Sequence, residues 1–210
     1  MNTPFTIAIL ALDEVEALDL AGPYEVFTTA ARMAARPEAE AWPRSALVRD
    51  WQVRTVARTR HPVRARAGLR ILPDLAFDEC PSAGLLLVPG GIVDAVARCP
   101  ATLDWVRRVH AGAALTASVC TGVFVLATAG VARTGRVTTH WEDIDALRRQ
   151  WPNLQVAEGV RWVEDGRVLS SAGISAGIDM ALYLVSRLAS PALAERTARQ
   201  MDYRWLRHPA

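Results

Sequence analysis

The sequence predicts an α/β fold, a parallel sheet with helices packed on both faces. Three observations point there. Short apolar runs at 6–10, 85–88 and 113–119 suit strands buried on both sides. Segments with helical spacing separate those runs. Turn-forming or small residues follow the run ends.

In chain order, Thr6-Ile7-Ala8-Ile9-Leu10 is the first strand. Pro23 with Glu25 close behind marks a helix start at 23–30, which leaves Asp19 in the loop before it. Residues 33–50 are rich in Ala, Pro and charge without a period and read as a surface excursion. Alternation predicts a strand over 51–57, and a short one is expected at 69–72. Leu85-Leu86-Leu87-Val88 is a buried strand ending in Pro89-Gly90-Gly91. Helical spacing runs from Asp94 to His110, with Pro100 breaking it. A strand over 113–119 meets Cys120, and a helix over 121–129 stops at Gly130. A short strand is expected at 136–139 and a helix at 142–151. Glu164-Asp165-Gly166 marks a hairpin between 160–163 and 168–171. Helices at 176–188 and 193–203 close the chain.

The length of 210 residues suits one domain spanning 1–210. All 24 basic residues are Arg, so lysine Schiff-base chemistry and a P-loop lysine are both excluded. A net charge of +2 demands no acidic partner. The arginines crowded between Ala30 and Arg70 read as a solvated face, because aromatic residues are sparse there and no nucleic-acid module follows. Met1-Asn2-Thr3-Pro4-Phe5-Thr6 carries no basic leader, and no run reaches the roughly 20 apolar residues of a membrane span. Cys80, Cys99 and Cys120 are odd in number and irregularly spaced. They suggest a reducing compartment, the cytoplasm, with neither a disulfide framework nor a zinc knuckle.

The chemistry centres on Ala117-Ser118-Val119-Cys120-Thr121-Gly122. A thiol at a strand-to-helix junction meets free N–H groups and the positive end of a helix, and both favour the thiolate. Gly122 permits a sharp turn, so the setting resembles a nucleophile elbow with Cys in place of Ser. A buried structural thiol is the alternative. Cys80 and Cys99 lack this setting and read as structural. The N–H groups of Gly90, Gly91 and Thr121 are candidates for an oxyanion site, although glycines also serve plain turns. Asp19, between Leu18 and Leu20, is either a helix cap or a working acid/base beside the thiol. Asp179 lies on an apolar helix and needs a partner, as a cap or through the cysteine loop. His140 offers a possible Cys–His pair.

With those residues named, the chain resembles the ThiJ/PfpI superfamily, and within it the isocyanide-hydratase-like branch. Five blocks carry the resemblance, in family order: Leu18-Asp19-Leu20-Ala21-Gly22-Pro23, Val88-Pro89-Gly90-Gly91, Ser118-Val119-Cys120-Thr121-Gly122, Thr138-Thr139-His140-Trp141, and Gly173-Ile174-Ser175-Ala176-Gly177-Ile178-Asp179. The resemblance implies a flavodoxin-like, class I glutamine amidotransferase-like three-layer sandwich and a homodimer. It implies Cys120 as nucleophile, Asp19 hydrogen-bonded to it, and Thr121 in support. The protease-like branch places a His directly after the Cys; Thr121 stands here, which argues against a Cys–His peptidase. The segment 33–50 is longer and richer in Arg and Pro than the hydratase pattern.

The expected activity is hydration of an isocyanide to an N-substituted formamide, through a thioimidate on Cys120 with Asp19 as general acid/base. Its partner is a small-molecule substrate; no metal, cofactor, nucleic acid or membrane is expected. The alternatives are a glyoxalase-like or amidase reaction on the same cysteine, and a non-enzymatic redox- or ligand-sensing protein. Some AraC-type regulators share these motifs in their N-terminal half. The stop at Ala210, just past the last expected helix, argues against a regulator.

Overall fold

The computed structural model describes residues 4–38 and 48–209. Strand β1 (Thr6–Leu10) leads to helix α1 (Ala17–Ala34), then β2 (Gln52–Ala57). The two-residue strands β3 (Val63–Arg64), β4 (Arg70–Ile71) and β5 (Leu75–Ala76) precede β6 (Leu85–Val88). Helices α2 (Asp94–Ala97) and α3 (Pro100–Gly112) come next, and β7 (Leu115–Val119) runs into α4 (Gly122–Thr128). Beyond β8 (Gly135–Val137) lie α5 (Ile144–Gln150) and β9 (Leu154–Val156). The hairpin β10 (Trp162–Asp165) and β11 (Val168–Ser171) leads to α6 (Ala176–Leu188) and α7 (Pro191–Gln200).

Seven strands form one sheet in the order β10-β11-β7-β6-β1-β2-β5, parallel except for β10. β6 and β7 are buried at every residue, which is why their sequences are apolar without alternation. The chain moves one way along the sheet from β1 to β2 and the other way from β6 to β7. With right-handed crossovers, opposite directions place α1 and α3 on opposite faces. Accordingly α1, α6 and α7 pack together, and α2, α3 and α4 form a second group. The direction reverses between β1 and β6, so the crevice beyond their carboxyl ends is the natural ligand site.

Several expectations change. Helix α1 begins at Ala17, so Asp19 lies in its first turn and not in a loop. Pro23 sits inside that helix. It leaves the Asp19 carbonyl without its usual donor, and burial of Leu20, Val26, Phe27 and Ala30 holds the helix regardless. The strand expected at 69–72 is β4, which pairs only with β3, outside the main sheet. Pro100 divides the helix expected from Asp94 to His110 and starts α3 at its first position. Strands β3, β5 and β9 were not foreseen; two or three residues carry too little periodicity. Of the excursion at 33–50, residues 39–47 lie outside the described residues.

Asp179 neither caps α6 nor bonds to the cysteine loop. It is fully buried and accepts from Arg161 Nε at 2.6 Å and from the Leu206 N–H at 2.9 Å. The Trp205 indole donates to its carbonyl at 3.2 Å. Asp179 therefore ties the C-terminal segment and β10's approach to α6. Replacing it by Ala strands a guanidinium and a backbone donor. We expect Asp179→Ala to lower stability by about 3 kcal/mol in urea unfolding.

Candidate active site

Cys120 occupies the bend between β7 and α4 with φ of 54°, a left-handed conformation that costs a non-glycine residue roughly 1–2 kcal/mol. Its neighbours hold it there. Its N–H donates to the Ser171 carbonyl at 3.1 Å, and its carbonyl accepts from the Thr139 hydroxyl at 2.9 Å. The helix start is pressed onto the end of β6. A Cβ on Gly122 would lie 2.1 Å from the Val88 carbonyl oxygen, and one on Gly90 would lie 2.6 Å from the Thr121 nitrogen. Only glycine permits either approach.

Asp19 arrives from the other side, on the first turn of α1, with no exposed surface. Its Oδ2 accepts from the Gly90 N–H at 3.1 Å; its Oδ1 is buried without a conventional partner. Burial pushes the carboxyl up from 3.8 to about 7. The Gly90 N–H pulls it down and the Glu16 charge pushes it up. Hydrogen bonding with the Cys120 thiol and the Ile174 N–H lowers it slightly.

The thiolate expectation is corrected. Burial first, and the Asp19 charge second, push the Cys120 thiol up to about 12, against the pull of the Thr121 N–H. At neutral pH the sulfur therefore keeps its proton when Asp19 is ionised. The N-terminus of α4, a helix of seven residues, is too weak to overcome an adjacent buried carboxylate.

The oxyanion expectation is corrected too. The Gly90 N–H is committed to Asp19, and the Gly91 N–H donates to Thr121 Oγ1 at 2.9 Å. The Thr121 hydroxyl returns a bond to the Gly91 carbonyl at 2.8 Å. Of the three expected donors, the Thr121 N–H is the one that faces the sulfur. Thr121 thus ties the elbow to the glycine turn.

His140 lines the same cleft, but its Nδ1 accepts from the Glu142 N–H at 3.4 Å, capping the turn at Trp141–Asp143. Its ring fills the space beside Gly173. No hydrogen bond joins it to Cys120 among the described residues. The cleft has a volume of about 580 Å³, and Cys120, 8% exposed, is part of its lining. Among the described residues no three His, Cys, Asp or Glu side chains group to hold a metal ion.

Sequence reading missed Glu16, Asp143, Ile174, Phe124 and Trp151 as cleft residues. Glu16 stands three residues before Asp19, a helical spacing that was lost once Asp19 was read into a loop. Ile174 has φ of 50°, a strained value for a β-branched residue that its sequence does not signal.

The DJ-1/PfpI family model matches residues 5–187. The chain belongs to the DJ-1/PfpI family. Isonitrile hydratase of Pseudomonas putida is 35% identical over 199 residues, covering 94% of this chain and 78% of that protein. The HTH-type transcriptional regulator CdhR of Pseudomonas aeruginosa is 34% identical over 139 residues, 66% of this chain but 41% of the regulator. A solved ThiJ/PfpI family protein from Pseudomonas syringae superposes with a TM-score of 0.80 at 27% identity, over 96% of this chain and 76% of that one. The family therefore holds proteins named as an enzyme and as a regulator. No helix among the described residues is long and apolar enough to cross a membrane.

Two measurements follow from the pair of raised groups. Asp19→Asn removes the charge that disfavours the thiolate, so the Cys120 pKa falls. The 240 nm absorbance difference between each protein and its Cys120→Ala counterpart reads that shift. Second, folded Asp19 keeps until about pH 7 a proton that the unfolded chain releases near 3.8. Its stabilising contribution is thus complete below pH 3.8 and is lost as pH rises through 7. Urea midpoints should fall relative to Asp19→Asn across that window.

Proposed function

We propose that this protein hydrates an isocyanide, R–NC, to the formamide R–NH–CHO, with Cys120 as nucleophile and Asp19 as proton carrier. The observation that carries the reading is a buried carboxyl, raised to about 7, beside a buried thiol that lines a cleft of about 580 Å³. The 94% coverage by a protein named isonitrile hydratase supports it.

An isocyanide presents a nearly neutral terminal carbon that must gain both a nucleophile and a proton. Asp19, near 7, accepts the thiol proton as sulfur attacks that carbon. It then delivers the proton to the same carbon, giving the thioimidate R–N=CH–S. Water adds there, with one proton going to nitrogen. The C–S bond breaks, the hydroxyl proton returns to sulfur through Asp19, and the formamide leaves. The Thr121 N–H steadies charge on sulfur at attack and departure. Overall one water is consumed and the enzyme is restored.

The raised thiol pKa weighs against the oxidation-sensor alternative, which needs a thiolate-rich cysteine. The capping bond of His140 weighs against a Cys–His amidase.

Cys120→Ala should abolish formamide production, followed by infrared loss of the isocyanide stretch. Asp19→Asn should lower kcat by about 10²-fold or more, even though it makes the sulfur easier to ionise. Undiminished turnover by the Cys120→Ala protein would end the proposal.

A further inference from the structure

The cleft is far larger than the reacting group. An isocyano group is two atoms, whereas about 580 Å³ is the size of a drug-like ligand site. Its lining mixes polar and apolar side chains. Around the sulfur it is polar, with Thr121, His140, Asp143 and Glu16. Helix α4 also contributes Phe124 and Thr128, and α5 contributes Ala146 and Gln150. Each pair is four residues apart, one helical turn, so each helix offers a single face to the space. The cleft therefore runs along the two helices. Along α4, from Gly122 to Thr128, the helical rise amounts to roughly 9 Å. Phe124 meets Trp151 edge-on, with ring centroids 5.5 Å apart and planes at 82°, which makes a fixed apolar wall.

The charges in the lining set a second limit. Glu16, Asp94, Glu142 and Asp143 face Arg66 and Arg98, and Arg66 already lies 3.6 Å from Glu16. An anionic side group would meet a net negative surround.

We infer that the groove between α4 and α5 is the side-group subsite, and that the substrate is an isocyanide bearing an uncharged, elongated apolar group of up to about 9 Å. Phe124 and Trp151 form its contact wall, and the small side chain of Ala146 keeps it open. This rests on the hydration reading for the isocyano end alone; the apolar subsite does not depend on that chemistry.

Calorimetry on the Cys120→Ala protein tests the subsite without turnover. N-methyl-, N-butyl- and N-hexylformamide should bind with affinity rising about three- to fourfold per added methylene. N-formyl-6-aminohexanoate should bind at least about tenfold more weakly than N-hexylformamide, because the lining sets Glu16, Asp94, Glu142 and Asp143 against Arg66 and Arg98. In the active protein, Ala146→Phe should reduce the hexyl-to-methyl isocyanide ratio of kcat/KM by about tenfold or more, through KM. Gln150→Trp, at an exposed position, should do the same and guards against misfolding of the first variant. Affinity that is flat with chain length, or a ratio unmoved by both variants, would overturn the subsite. The chain-length trend without turnover of any isocyanide would sustain the subsite and discard the hydration reading.

Discussion

The candidate site is built around two buried acidic groups, Asp19 and Cys120. Asp19 and Cys120 each become anions on ionising, and a low-dielectric space cannot hold both charges side by side. Burial raises the carboxyl to about 7, and burial together with the Asp19 charge raises the thiol to about 12. The sulfur is thus not a standing thiolate waiting at a helix end. In the proposed hydration it becomes nucleophilic when its proton moves to Asp19, whose affinity for it is poised near neutrality.

Much of the surrounding fold exists to hold those two groups together. Asp19 follows β1, Gly90 follows β6 and Cys120 follows β7, and the crossover reversal between β1 and β6 brings these ends to one crevice. Gly90 touches both sides: its N–H holds the carboxylate while its bare Cα lets Thr121 approach. The left-handed backbone of Cys120 is kept by bonds to Ser171 and Thr139. Those bonds come from elements far apart in sequence, so the strain is local while its support is global.

The site was partly legible beforehand. A buried strand, then Cys-Thr-Gly, then a helix announces an elbow, and the structure contains one. Asp19 stood out as a carboxylate between leucines, but its loop placement was wrong because Pro23 looked like a helix start. Burial of one helix face overrode that local signal. Asp179 was recognised as needing a partner; the partner, Arg161, lies on the approach to β10 and belongs to a different job. His140 was recognised as near the site, and its capping bond to Glu142 could not be read from composition.

By itself the sequence determined which residues are chemically able to act, and the order of strands and helices, because periodicity and turn chemistry are local. Tertiary structure alone decided how they act. The thiol's protonation, the commitment of the Gly90 and Gly91 N–H groups, and the groove along α4 and α5 all depend on what lies across space. Desolvation and hydrogen-bond competition are properties of packed neighbours, and a linear chain does not name its neighbours.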